Sequence, residues 1–168
     1  ALMLAEIDAG KLEWSPSVVD RFYQCSQCGL CREDCAYHWP EDDLVRNGRE
    51  EIIAAGAAPP RITETAERLR NSGVPVDNVP AAPGVLNKRV GKKNPDVLYI
   101  AGWAARYERP EIVDALAVIF DRLGLEWSAL ENECCGIELL ELGYTGEARE
   151  QAQRFAKSIE EINPRSII

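Results

Sequence analysis

Val97-Leu98-Tyr99-Ile100-Ala101 is an unbroken apolar run, set between Asp96 and Gly102. A short run without polar alternation is the pattern of a strand covered on both faces, as strands of a parallel sheet are. Working toward the C-terminus, Pro110–Leu123 has helical spacing, with Ile112, Val113, Leu116, Ile119, Phe120 and Leu123 on one face and Gly124 as the stop. Leu125–Leu130 predicts a second strand. Thr145 is read as the cap of a helix from Glu147 to Ile162, apolar at Ala148, Ala152, Phe155, Ala156, Ile159 and Ile162 and ended by Asn163-Pro164. Arg165–Ile168 then predicts the start of a third, buried strand. The alternation strand, helix, strand, helix, strand implies a parallel sheet with right-handed crossovers. No G-x-G-x-x-G follows the first strand, so a dinucleotide site is not expected.

Working toward the N-terminus, Gly73–Pro95 carries Pro75, Pro80, Pro83 and Pro95 and reads as an extended linker. Before it come short helices and no strand pattern. They cover Ala1–Ala9 with Gly10 as stop, Ser17–Gln24 behind the Ser15-Pro16 start, Asp42–Ala55 ended by Gly56, and Ile62–Arg70 closed by Asn71-Ser72-Gly73. The expected organisation is a helical domain over 1–72, a linker over 73–95 and an α/β domain over 96–168. The chain opens within a helix and closes within a strand, which leads us to expect an internal piece of a longer protein.

A net charge of −9 argues against a nucleic-acid surface, and the basic cluster Lys88-Arg89 with Lys92-Lys93 reads as a solvated linker. No stretch approaches the roughly 18 apolar residues of a membrane span. One histidine, His38, leaves no Ser-His-Asp set.

The six cysteines fall at two places. The first is Cys25-Ser-Gln-Cys28-Gly-Leu-Cys31-Arg-Glu-Asp-Cys35, or C-x2-C-x2-C-x3-C. This is the spacing with which bacterial ferredoxins hold [4Fe–4S] clusters, three thiolates on one cluster and the fourth on its sibling. Zinc is the rival metal, but it ordinarily takes two separated knuckles or a cysteine–histidine mixture. Disulfide frameworks suit small secreted domains, and this chain is larger and its spacing tighter. Reduced, metal-bound thiols imply the cytoplasm or the cytoplasmic face of a membrane complex. Near the run, His38 reads as a fourth ligand, a proton carrier or a plain turn residue. Tyr37 and Trp39 read as a water shield or ordinary packing, and Arg46 and Arg49 as a solvated helix face or a partner's docking charges.

The second place is Cys134-Cys135-Gly136, just past the second strand, where open α/β sheets carry their ligands. Cys134 and Cys135 read as a second iron–sulfur site, or as two small buried hydrophobes. Glu131 and Glu133 beside them read as acids or as turn residues.

Glu133-Cys134-Cys135-Gly136 resembles the signature of the CCG, or cysteine-rich, domain found in heterodisulfide reductase subunits, the glycolate oxidase iron–sulfur subunit and related proteins. Asp96–Gly102 and Leu142-Gly143-Tyr144 resemble the family around that signature. Tyr23 through Cys35, with Arg49-Glu-Glu-Ile-Ile-Ala-Ala-Gly56, resembles the second ferredoxin half of D-type subunits. The resemblance implies a mixed α+β chain, with a helical ferredoxin-like [4Fe–4S] domain before an incomplete parallel-sheet CCG domain. It implies cofactor binding by Cys25, Cys28, Cys31, Cys35, Cys134 and Cys135. The cofactors would be [4Fe–4S] clusters, with a noncubane or degenerate cluster at the CCG site. It also implies electron relay between a flavoprotein or hydrogenase-type partner and a disulfide or quinone-linked acceptor, the partners being separate subunits. A catalytic disulfide reductase and a zinc-binding or redox-sensing protein are the alternative readings.

Three departures from the family pattern matter. Trp103 stands where a lone ligating cysteine is expected, and an indole N–H cannot ligate iron. The closing C-x2-C would fall just beyond Ile168. Ala36 follows Cys35 in place of proline, and a matching first cysteine run would lie upstream of Ala1.

Overall fold

A computed structural model describes residues 2–77, 83–130 and 134–168. In chain order the elements are α1 Leu2–Asp8, α2 Pro16–Tyr23, α3 Leu30–Asp34, α4 Glu41–Ala54, α5 Pro60–Ser72, α6 Gly84–Asn87, β1 Val97–Tyr99, α7 Pro110–Arg122, β2 Trp127–Ala129, α8 Ile137–Leu142, α9 Thr145–Ile162 and β3 Ser166–Ile167. A π-helical turn, Ala104–Glu108, lies between β1 and α7. The architecture is mixed, with helices first and then a three-stranded parallel sheet with helices. The residues divide into two compact units, Ala1–Glu67 with Gly136–Arg149, and Arg68–Cys135 with Glu150–Ile168.

In the second unit the sheet order is β2-β1-β3, with Val97 opposite Trp127 on one side and Ser166 on the other. The period-2 alternation of a strand sorts its side chains between two faces. Val97, Tyr99, Trp127 and Ala129 pack with Leu86 and with Val113, Ala117 and Phe120 of α7. Leu98 and Leu130 turn the other way, onto Phe155, Ile159 and Ile162 of α9. Helices therefore cover both faces of the sheet, which is why β1 and β2 are buried throughout and read as continuous apolar runs.

Two expectations are corrected here, for the third strand and for the linker, and one face is covered less than its length. The apolar face of α7 is only partly covered: Val113 and Phe120 are buried, whereas Ile112, Ile119 and Leu123 are exposed, because the sheet beneath is only a few residues long. Among the described residues the third strand is exposed rather than buried and pairs with β1 alone. The stretch read as an extended linker carries structure within its described residues 83–95. Leu86 of α6 is fully buried, Arg89 O accepts bonds from Ala129 N at 3.1 Å and Ser128 Oγ at 2.9 Å, and Val90 bridges Ala129 in parallel. Arg89 also stacks over the Trp127 ring at 5.0 Å, so this segment is pinned to the outer edge of β2.

The core of the first unit gathers Val18, Val19 and Phe22 of α2 with Ile52 of α4, and Leu4, Ile7 and Trp14 pack against them. Gly48 is the close-approach point, because a Cβ there would lie 2.3 Å from the Phe22 ring. Residues 136–149 complete this unit, and α8 packs on α4. Among the described residues no helix is long and apolar enough to cross a membrane.

Candidate metal centre

The first cysteine run begins where α2 ends. Tyr23 closes α2, Cys25 follows, and the backbone then turns through two left-handed residues, Gln27 at φ 53° and Gly29 at φ 74°. A glycine takes that conformation without steric cost, whereas Gln27 is an uncommon occupant. The short helix α3 starts directly after Gly29 and carries Cys31, and Cys35 N–H donates to Cys31 O at 3.1 Å. All four cysteines are free, with Cys25 and Cys35 half-buried and Cys28 and Cys31 exposed.

Backbone N–H groups aimed at sulfur favour thiolate over thiol. Gln27 N–H donates to Cys25 Sγ at 3.4 Å. The Cys28 thiol is held below its ordinary pKa, chiefly by a hydrogen bond from the Leu30 backbone and next by the Ser26 side chain. Hydrogen bonds to sulfur are also among the features that set cluster potentials. Four free thiols on a loop that already presents a backbone N–H to one of them fit an iron–sulfur cluster as a donor set. Among the described residues no three His, Cys, Asp or Glu side chains are gathered into a metal-holding group. Closure of ligands around a metal is ordinarily coupled to its binding.

The neighbours of the run sit differently from several expectations. Tyr37 is 81% exposed and Trp39 60%, so neither shields the cysteines as placed. His38 is exposed, with Nδ1 3.2 Å from Arg32 O, as a turn residue at φ 48°. Arg46 pairs with Asp43 at 2.6 Å. Arg49 is not on a solvated face: it is 5% exposed. Its Nε and Nη2 donate to Phe22 O at 3.1 and 2.8 Å, Nη2 to Cys25 O at 2.5 Å, and Nη1 to Glu141 O at 2.5 Å. One guanidinium thus caps the last carbonyls of α2 and α8 and fixes the start of the cysteine loop.

Tyr23 lies under the same guanidinium, 5.1 Å from Arg49 Cζ to the ring centre, and its hydroxyl donates to Leu142 O at 3.0 Å. Burial pushes its pKa up from 10.0 to about 12, against the opposing pull of Arg49. A tyrosine whose folded pKa is raised stabilises fully below its unfolded value and loses that contribution as pH climbs through the folded one. The chain is expected to lose stability between pH 10 and about 12, and Tyr23→Phe to flatten that slope, as read from urea midpoints against pH.

The second cysteine pair lies in the other unit as far as Cys135. It follows β2 in the sequence. Cys134 is half-buried and its carbonyl accepts from Gln151 Nε2 of α9 at 2.8 Å, and Cys135 is exposed. Gly136 takes φ 91° and starts α8, which is the tight backbone expected after the pair. Trp103 is half-buried after β1 and enters the π-helical turn. Such turns recur at functional sites, and no sequence pattern marks this one. From that turn the buried Arg106 donates through Nη2 to Leu130 O at 2.6 Å, at the end of β2. Glu131 and Glu133 lie outside the described residues. No sequence signal singled out Arg106.

Residues 97–168 match the family described as CCG: Cysteine-rich domain. No curated protein and no solved structure matches the chain.

Proposed function

We propose that this chain, whose residues 97–168 match the CCG cysteine-rich domain typical of heterodisulfide reductase-like iron–sulfur proteins, relays electrons within a multi-subunit oxidoreductase. The helical residues 1–72 hold a [4Fe–4S] cluster through Cys25, Cys28 and Cys31, with Cys35 serving the same or a sibling cluster. The observation that carries the reading is the loop itself: four free thiols at ferredoxin spacing, with Gln27 N–H on the sulfur of Cys25. Cys134 and Cys135 supply a second site after β2 in the sequence.

A bound cluster supplies one-electron chemistry. The chain's own part is to present thiolates, to hold N–H donors on their sulfurs and to set the surrounding charge. Two cysteines exposed to solvent suit exchange with a separate subunit. From the family resemblance we infer a flavoprotein or hydrogenase-type donor and a disulfide or quinone-linked acceptor, on separate subunits because the given sequence carries no nucleotide-binding motif. Trp103 supplies no thiol after β1, which favours a relay over disulfide cleavage at the CCG site.

The test is iron and sulfide content with low-temperature EPR on anaerobically purified full-length protein. Reduced-state [4Fe–4S] signals alone support the relay. A further paramagnetic species on oxidation with a thiol substrate would move the chemistry to the CCG site. Stoichiometric zinc without iron would overturn the assignment.

A further inference from the structure

We propose that Arg49 is the positioning residue and built-in counter-charge of the Cys25–Cys35 site. The inference rests on the iron–sulfur reading of that run and adds a residue to it. Among the described residues only Arg49 and Arg106 are buried charged side chains. Burying a guanidinium is costly unless it is both hydrogen-bonded and matched in charge. The hydrogen bonds that Arg49 makes to Phe22, Cys25 and Glu141 all end on backbone carbonyls, which satisfy its N–H groups without an ion pair, and of the negative groups that face it Cys25 acts most strongly, ahead of Tyr23 and Glu141. Its charge stands at the first residue of a four-thiol loop, where thiolates gathered on a cluster would be its main counter-charge.

Two consequences follow from this placement. By holding Cys25 O and Phe22 O together, Arg49 fixes the direction in which the chain leaves α2, and with it the first ligand. As a cation, it favours the more negative, reduced state of anything those thiolates bind. Arginine's rigid fork meets several carbonyls at once, and a lysine keeps the charge but not the fork. The two roles are therefore separable.

The experiment compares Arg49→Met and Arg49→Lys in the iron-loaded full-length protein, by redox titration of the first-site EPR signal and by the rate of cluster loss to a chelator. Arg49→Met is expected to lower the midpoint potential by about 59 mV, a tenfold change for one electron, and to hasten cluster loss. Arg49→Lys is expected to keep the potential near the native one while losing the cluster faster. A folded Arg49→Met with an unchanged potential overturns the counter-charge. If Arg49→Met does not fold, Arg49→Lys decides: native potential with faster loss supports the proposal, whereas a lowered potential or an unchanged lifetime overturns it. A native protein that holds no cluster overturns the reading of the site together with this inference. A native cluster that is indifferent to both variants overturns this inference alone.

Discussion

Cys28→Ser is expected to abolish or convert the ferredoxin-type signal while leaving any signal from Cys134 and Cys135 in place. A serine hydroxyl is a far weaker acid than a thiol, so at neutral pH it does not offer the anionic sulfur that iron takes. Cys28 is the informative choice because it is exposed and takes no part in the packed core, so its loss should not disturb the fold. Its thiol is also drawn toward the thiolate by the Leu30 backbone and Ser26, the environment of a ligand rather than of an inert core cysteine. Iron content, EPR and a melting curve on the same preparation separate the cases. An unchanged melt with the first signal gone supports ligation. Loss of both signals together would mean that the two cysteine sites are not independent.

Gly143→Ala is expected to cost roughly 2–5 kcal/mol of stability, among the larger single-residue effects. Gly143 closes α8 at φ 102°, where a residue with a Cβ is strained. Independently, an added Cβ would lie 2.6 Å from the carbonyl carbon of Arg49 and 2.7 Å from its oxygen. Both are backbone atoms of α4, so no rotamer change relieves the clash. Gly146→Ala is the control, since Gly146 has ordinary φ and open space around its Cβ position. It should be neutral or slightly stabilising, by up to about 1 kcal/mol as a glycine replaced within a helix. Urea midpoints at unchanged slope decide it, and equal midpoints for the two variants would refute the close approach at Gly143.

Much of the parallel-sheet architecture was legible because its signals are local. The runs at Val97–Ala101 and Leu125–Leu130 became buried strands, and the helix stops at Gly10, Gly56 and Gly124 all take left-handed φ. Asn163 does the same after α9, which begins at Thr145, two residues earlier than its apolar spacing indicated. Periodicity gives the direction of an apolar face but not how much of it is covered, which is why Ile112, Ile119 and Leu123 share the apolar face of α7 and are nevertheless exposed. The cysteine spacing marked the candidate ligands, although among the described residues they are not gathered into a metal-holding group. The role of Arg49 left no mark, because its partners are carbonyls, and every residue has one. Nor did any local signal place residues 136–149 with the helices instead of with the sheet that precedes them in sequence.

That placement sets an order of events during synthesis. Arg49 meets Glu141 across 92 residues, and Tyr23 meets Leu142 across 119. Contacts so distant in sequence close slowly, because chain entropy is surrendered before they form. On the ribosome, the helices around the first cysteine run emerge early but cannot complete their packing until α8 has followed. In that interval the loop at Cys25 lacks one of the segments that Arg49 ties to it. On the iron–sulfur reading proposed above, metal insertion at the N-terminal cysteines would then be timed by residues more than a hundred positions downstream.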